Sequence, residues 1–462
     1  MTQVSNLKTK ASLVDVSTEA PRFKVYTERH MDNIEQLAGL TEAQRFEMKV
    51  VASVLPFRVN QYVIEELIDW SNIPEDPIFQ LTFPQKGMLS QDHYERMATV
   101  HKNGADKAEI QAIANEIRHE LNPHPAGQQE LNVPRVGENF LQGAQHKYRE
   151  TMLFFPSQGQ TCHSYCTFCF RWAQFVGDKS LRFASHEADQ LHAYLKDHKE
   201  ITDLLITGGD PMVMKTKHLA AYLEPLTKPE FSHIKTIRIG TKSLTFWPYR
   251  YVTDADADEL LAILEKLTKA GKHLAFMAHF NHWQEMETDI CRAAIKRIRA
   301  TGAIIRTQAP LLAHINDDAD VWATMWRKQV NLGLVPYYFF VERDTGAHEY
   351  FGVPLAKAWK IYRDAMQQVS GLARTARGPS MSAGPGKIEV QGVTEINGEK
   401  VFVLRFVQGR NPDWVQRPFF AKYDEKATWL NHLKPAFGEE KFFYEEEYSA
   451  MNRGELDPRE FY

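Results

Sequence analysis

Cysteine is scarce in this sequence, with four residues among 462. So few thiols cannot build the disulfide framework of a small secreted domain. Long apolar runs are missing as well: no stretch of the chain approaches the roughly 18 residues of a membrane span. Neither sign of charge dominates, since the formal net charge is −4, so the basic footprint of a nucleic-acid-binding chain is absent. The opening residues Met-Thr-Gln-Val-Ser-Asn-Leu-Lys contain no apolar leader segment. These absences predict a protein of the reducing cytoplasm, with neither nucleic acid nor membrane as partner. The length suffices for a full barrel plus flanking segments.

The few cysteines are concentrated. Cys162, Cys166 and Cys169 fall in the run Cys-His-Ser-Tyr-Cys-Thr-Phe-Cys. Three thiolates at C-x3-C-x2-C spacing can hold three irons of a 4Fe-4S cluster and leave the fourth without a protein ligand. Ferredoxin-type carriers close the cluster with a fourth cysteine, so the gap points to chemistry at the iron. A structural zinc site is the alternative; it wants four ligands, and His163 could serve only by bending back beside its neighbour. A disulfide with a spare thiol is a third reading. Cys291 shares an i, i+3, i+4, i+7 stripe with Ala294, Ile295 and Ile298, which predicts a buried core thiol.

The chain divides by pattern. Residues 1–30 read as a polar arm and 31–148 as a helical N-terminal region. From 149 to 370 short apolar runs alternate with helical periodicity, as βα units do. The strand candidates are 152–155, 204–207, 236–239, 274–277, 304–307 and 335–340, with Thr253 as N-cap of the helix after the third. The fold class is therefore α/β, a partial (β/α)6 barrel with N- and C-terminal additions. Chemistry in such barrels sits at the strands' C-terminal ends, where the cysteine loop begins. Residues 371–410 hold a glycine-rich lysine loop and a hairpin turning at Asn397-Gly398. The aromatic-rich 411–462 segment reads as a packed wrap or an interface.

Other polar groups fall at the same strand ends. The second strand runs into Gly208-Gly209-Asp210, where two glycines let a ligand approach the backbone. His279 ends the fourth strand and Gln308 the fifth. Gly384-Pro385-Gly386-Lys387 is not a P-loop, because Ile388 follows where Ser or Thr is required. A lysine in such a loop can have its pKa lowered by burial and form an imine with pyridoxal phosphate.

The cysteine loop resembles that of the radical S-adenosylmethionine (SAM) superfamily. From about residue 50 to 395 the chain is similar to the lysine 2,3-aminomutase family. The matching segments are Leu55-Pro56-Phe57-Arg58, the cysteine loop, Gly-Gly-Asp, Arg238-Ile239-Gly240-Thr241-Lys242, His279-Phe280-Asn281-His282, Pro336-Tyr337-Tyr338 and the lysine loop. The resemblance implies a 4Fe-4S cluster on the three cysteines, SAM on its open iron, and pyridoxal phosphate on Lys387. It places Gly208, Gly209, Asp210, Arg171, His279 and Gln308 around the cofactors, and Arg149 with Tyr148 near a phosphate. The implied isomerase reaction moves the α-amino group of an amino acid to its β-carbon. A one-electron reductant such as flavodoxin or ferredoxin is implied, and a homo-oligomer is expected.

Three positions depart from the family. Aspartates that hold the substrate's terminal ammonium there fall here on Arg343 and Ser380; a one-residue slip would bring Asp344 in. An arginine suits a carboxylate instead, so free lysine is the less expected substrate, and an acidic amino acid, as in the related glutamate 2,3-aminomutases, is one possibility. Phe340 stands where the family has a tyrosine. The alternatives are a radical SAM enzyme without pyridoxal phosphate, and a non-catalytic zinc or iron-sulfur interaction protein.

Overall fold

A computed structural model describes residues 21–122, 132–136, 139–176 and 188–457. Most of the predicted arm, residues 1–20, lies outside the described residues.

Short strands open the chain. Val25–Thr27 (β1) pairs antiparallel with Arg58–Asn60 (β2), and Arg135–Val136 (β3) with Asn139–Phe140 (β4). The remaining strands form one eleven-stranded sheet in chain order. Its centre is seven parallel strands: Thr151–Phe154 (β6), Asp203–Ile206 (β7), Thr236–Thr241 (β8), His273–His279 (β9), Ile304–Leu311 (β10), Val335–Val341 (β11) and Arg377–Ser382 (β12). Antiparallel Ala144–Tyr148 (β5) adds to one edge. Gly386–Ile396 (β13), Glu399–Gly409 (β14) and Pro418–Lys422 (β15) extend the other. All six predicted strands are present, each followed by the expected helix.

The strands alternate in burial, and the alternation places the site. Met152, Phe154, Leu204, Ile206, Ile237, Ile239, Ile305 and Phe339 join the helices in the largest apolar core. Side chains one position away, such as Arg238, Gln308 and Phe340, lie on the opposite face and keep some accessible surface, as the two-residue period of a strand requires.

Three sequence expectations are corrected. A seventh parallel strand, β12, was missed because Arg-Gly-Pro-Ser-Met-Ser reads as a turn; pairing on both edges overrides its poor propensity. The 31–148 region is not purely helical, since it contains β2 to β5, and β1 lies within the supposed arm. Thr253 caps nothing: Asp256 precedes the helix Ala257–Lys269, and the Thr253 hydroxyl is buried without a partner. The hydrogen-bonded order of the sheet is linear, from β15 to β5. The two flanks nevertheless touch, because Lys147 Nζ on β5 donates to the Ala383 carbonyl beyond β12 at 2.9 Å.

The C-terminal segment is a wrap, not an exposed surface. Trp414, Phe419, Trp429, Phe442 and Tyr444 are buried in a core with β13 and β14. The hairpin turn is as expected, with Asn397 and Gly398 both at positive φ, the type I′ requirement.

Candidate functional site

Two loops stand at the C-terminal ends of the parallel strands. The cysteine loop leaves β6, and the Ala383–Gly386 turn joins β12 to Lys387, the second residue of β13.

The N-terminal region clamps the cysteine loop. Tyr165 N donates to Arg58 O at 2.7 Å and Thr167 N to Leu81 O at 3.0 Å. Buried Asn60 donates its backbone N–H to the Ser164 hydroxyl oxygen at 3.0 Å and its side-chain amide to the His163 and Phe246 carbonyls at 3.3 and 2.6 Å. The Leu-Pro-Phe-Arg segment is thus a structural brace, and Asn60 is a member of the site that sequence reading passed over.

From the other side comes Gly208-Gly209-Asp210. A Cβ on Gly209 would run into the Thr161 backbone, and one on Gly208 into Gln160. On the side a Cβ would occupy, the close approach at these glycines is made by the protein's own loop. Asp210 N donates to the Gly159 and Thr161 carbonyls at 3.0 and 2.7 Å. Its buried carboxylate accepts from Thr241 Oγ1, Met212 N and Lys242 N at 2.7–2.9 Å. Burial pushes this carboxyl up to about 6 against those hydrogen bonds. Asp210→Ala leaves three donors without an acceptor, and each buried orphan costs about 1–3 kcal/mol. The expected result is a melting temperature lower by more than about 5 °C, read by calorimetry, together with weakened iron retention.

The three cysteines lie close enough to affect one another's ionisation, and burial raises all three, Cys169 to about 11. A single tetrahedral zinc would draw its sulfurs to about 3.8 Å apart, given Zn–S bonds near 2.3 Å. The three thiols do not gather within 4.8 Å of one another, a spread that fits a cluster with one thiolate per iron. His163 is no fourth ligand. Its ring packs edge-on against Phe23 at 5.6 Å, and burial beside Arg250 and Arg58 lowers it to about 3. Cys291 is a fully buried core thiol, as expected.

His279 and Gln308 meet as neighbours on β9 and β10, with the Gln308 amide 2.8 Å from His279 Nε2. Burial and the nearby Lys242 charge lower His279 to about 3. The ring is neutral, and Nε2 accepts. Beneath them Lys242 donates to His279 O, Asn281 Oδ1 and the fully buried Glu285. Lys242 also bears on Cys166 electrostatically.

Lys387 Nζ sits 4.2 Å above the Tyr338 ring and 5.5 Å from that of Phe340, and those two rings stack 13° from parallel. Burial first, then the Arg238 and Arg377 charges, lowers its amine to about 7. Its loop is tied by Lys147 to Ala383 O and by Arg410 to Gly384 O. A Cβ on Gly384 would meet the Tyr448 hydroxyl of the C-terminal wrap.

Arg343 reaches toward the cysteine loop, 5.2 Å over the Phe170 ring, between the charges of Glu342 and Asp344. Trp172 Nε1 bonds Thr345 Oγ1 at 3.1 Å and fixes that approach. Arg171 lies over Phe155, with its Nε buried and unpartnered. Ser380 is fully buried on β12 beside Phe340, and its hydroxyl has no partner. Arg149 is corrected: it is exposed in the β5–β6 turn, at the N-terminal end of the parallel strands. Antiparallel pairing of β5 carries it away from the site.

Three relatives cover most of the chain. A provisionally named L-lysine 2,3-aminomutase of Aquifex aeolicus is 29% identical over 413 residues, 89% of this chain and 97% of its own. The L-lysine 2,3-aminomutase of Bacillus subtilis is 25% identical over 90% of this chain and 76% of its own. That of Methanococcus maripaludis is 23% identical over 84% and 79%. No protein-family model matches. A solved radical SAM methyltransferase from Sphaerobacter thermophilus aligns at a TM-score of 0.36 and 14% identity, over 52% of this chain and 68% of its own. Nothing below rests on that overlap.

Proposed function

We propose, from the premise that this chain belongs to the lysine 2,3-aminomutase family, that it is a radical SAM isomerase dependent on pyridoxal phosphate. In this reading the sheet is a partial (β/α)6 barrel, and the reaction moves an amino group from the α- to the β-carbon of an amino acid. One observation carries the reading. A three-thiol loop and a lysine lowered to about 7 stand at the same end of one parallel sheet.

The residues present fit the implied groups. Cys162, Cys166 and Cys169 would hold a 4Fe-4S cluster, and Lys387 would hold pyridoxal phosphate over Tyr338 and Phe340. When bound, cluster and SAM supply hydrogen abstraction, and pyridoxal phosphate supplies a conjugated ring for the migrating nitrogen. The protein's own work is positioning. Asp210 and Asn60 fix the cysteine loop. Lys242 and Glu285 hold the ends of β8 and β9. Arg238 and Arg377 keep Lys387 partly neutral and furnish positive charge for an anionic cofactor.

The substrate follows from charge. Arg343 is held beside the cysteine loop, Arg171 stands two residues past Cys169, and the Ser380 hydroxyl is neutral. A guanidinium repels a terminal ammonium and binds a carboxylate. An acidic amino acid fits better than lysine.

The test is anaerobic incubation of reconstituted, reduced protein with SAM, pyridoxal phosphate and each standard amino acid. Mass spectrometry should find a β-amino acid from an acidic substrate and none from lysine. Arg343→Ala should raise KM for that substrate about 10- to 100-fold, the value of one charge-assisted hydrogen bond, with iron content unchanged. Rearrangement of lysine alone would reverse the substrate assignment.

One observation favours a second reading, without pyridoxal phosphate: Arg149 lies at the wrong end of the sheet to hold a phosphate. A protein that never acquires pyridoxal absorbance on incubation with the cofactor would support it.

A further inference from the structure

We infer that Arg238, Arg306 and Arg377 seat a phosphate group on the face of the parallel sheet opposite its main core. Under the proposed function, on which the identity of the ligand rests, it is the phosphate of pyridoxal phosphate. The three arginines stand on β8, β10 and β12. Arg238 pairs with Ala275 and Arg306 with Met277. Those two β9 residues are one strand period apart, so both arginines lie on one face. Arg377 opens β12 opposite Tyr338, whereas Lys387 pairs with Ser382 at the other end of that strand. Arg377 therefore lies deeper in the sheet than the amine.

Two tyrosine rings gather these groups. The guanidinium of Arg377 lies 4.6 Å from the centre of the Tyr337 ring, and that of Arg306 lies 5.2 Å from it. Arg377 is also 4.3 Å from the Tyr338 ring, which Lys387 Nζ approaches to 4.2 Å. A single ring thus separates Arg377 from the amine. Arg238 bears electrostatically on both Tyr338 and Lys387.

The positive charges there are not balanced. Asp203 accepts from Arg238 Nε at 2.7 Å. Among the described residues Arg306 and Arg377 have neither a carboxylate partner nor a hydrogen-bond acceptor. Stacking on tyrosine holds a guanidinium in place and leaves its N–H edge free. All three arginines are half-buried, and burial makes an unpaired charge costly. A phosphate monoester supplies about two negative charges and three acceptor oxygens, which complements two unpaired guanidiniums. A carboxylate supplies one charge and would leave the other arginine unanswered. A seat on these strands gives Arg149, exposed at the far end of the sheet, no part in it.

The test compares pyridoxal phosphate with pyridoxal, which lacks the phosphate. Cluster-loaded protein is titrated with each by absorbance at pH 9, where the Lys387 amine is neutral. Wild type should bind pyridoxal phosphate about 100-fold tighter or more. Arg377→Gln should lose about tenfold or more of that preference and bind pyridoxal as wild type does. If that variant misfolds, Arg306→Gln, on another strand, should show the same selective loss. Calorimetry with inorganic phosphate separates the seat from the covalent step. Lys387→Ala protein should bind inorganic phosphate, and adding Arg377→Gln to it should abolish that binding. The proposal is overturned if wild type binds the two aldehydes equally, if both arginine variants keep the preference, or if Arg149→Ala removes it. A wild type that captures neither aldehyde, yet binds inorganic phosphate through Arg377, would remove the pyridoxal reading and keep the seat.

Discussion

Alanine at Lys387 is expected to abolish covalent capture of pyridoxal phosphate. Wild-type protein mixed with the cofactor and treated with borohydride should carry one stable label per chain. The Lys387→Ala protein should carry less than about a tenth of that, because among the described residues no other lysine amine is placed over the Tyr338 face. The pH dependence gives an independent check. Only a neutral amine attacks an aldehyde. Burial with Arg238 and Arg377 brings Lys387 from the ordinary lysine range to about 7. Labelling should therefore be nearly complete at pH 9, half-maximal near 7, and fall about tenfold per unit below that. A surface lysine would stay mostly unreactive until well above pH 9. Label of undiminished strength on Lys387→Ala would show that the assignment of this residue is wrong. Arg377→Met should move the midpoint upward by removing one of the charges that depress the amine. That shift separates electrostatic tuning from simple burial.

Alanine at Cys166 should have a comparably large effect on iron. Reconstituted wild type is expected to hold about four irons and to cleave SAM reductively. Cys166→Ala should fall below about one iron and lose SAM cleavage to the detection limit. Its fold should survive, because the loop is held by Arg58, Asn60, Leu81 and Asp210 through backbone and amide hydrogen bonds rather than by the thiols. A melting temperature within a few degrees of unreconstituted wild type would confirm this. Iron loading is expected to be proton-coupled. Burial holds Cys169 near 11 and raises the other two as well, so all three are protonated before metal arrives. Cluster assembly must release those protons. Loading should accelerate from pH 7 to pH 9, and metal-free protein should react slowly with thiol reagents at neutral pH. Full iron retention in Cys166→Ala would sink the cluster assignment.

The sequence determined the chemistry-bearing groups and the strands that carry them. Three cysteines at fixed spacing, a lysine between glycines, and six apolar runs alternating with helical stripes are local signals. Each depends on residues no more than a few turns apart, so each survives as a string. The strand ends of His279 and Gln308 were legible for the same reason.

Tertiary structure decided the rest. β12 forms from a sequence that favours a turn, since β11 and β13 satisfy its backbone from both edges. Arg149 and Lys147 lie two residues apart in sequence. The hairpin reversal exposes the first at one end of the sheet, while the second bonds Ala383 across the fold. Asn60 carries no motif and matters only because its amide reaches carbonyls more than a hundred residues away. The glycines of Gly-Gly-Asp were read correctly as a place of close approach. What approaches Gly209 is the backbone of Thr161, which no spacing could reveal. The amine of Lys387 is set by the same kind of distant neighbour. Its low pKa belongs to burial against Tyr338 and to Arg238 and Arg377 on two other strands. Spacing along the chain names a reactive group, but only packing between strands sets its charge and its companions.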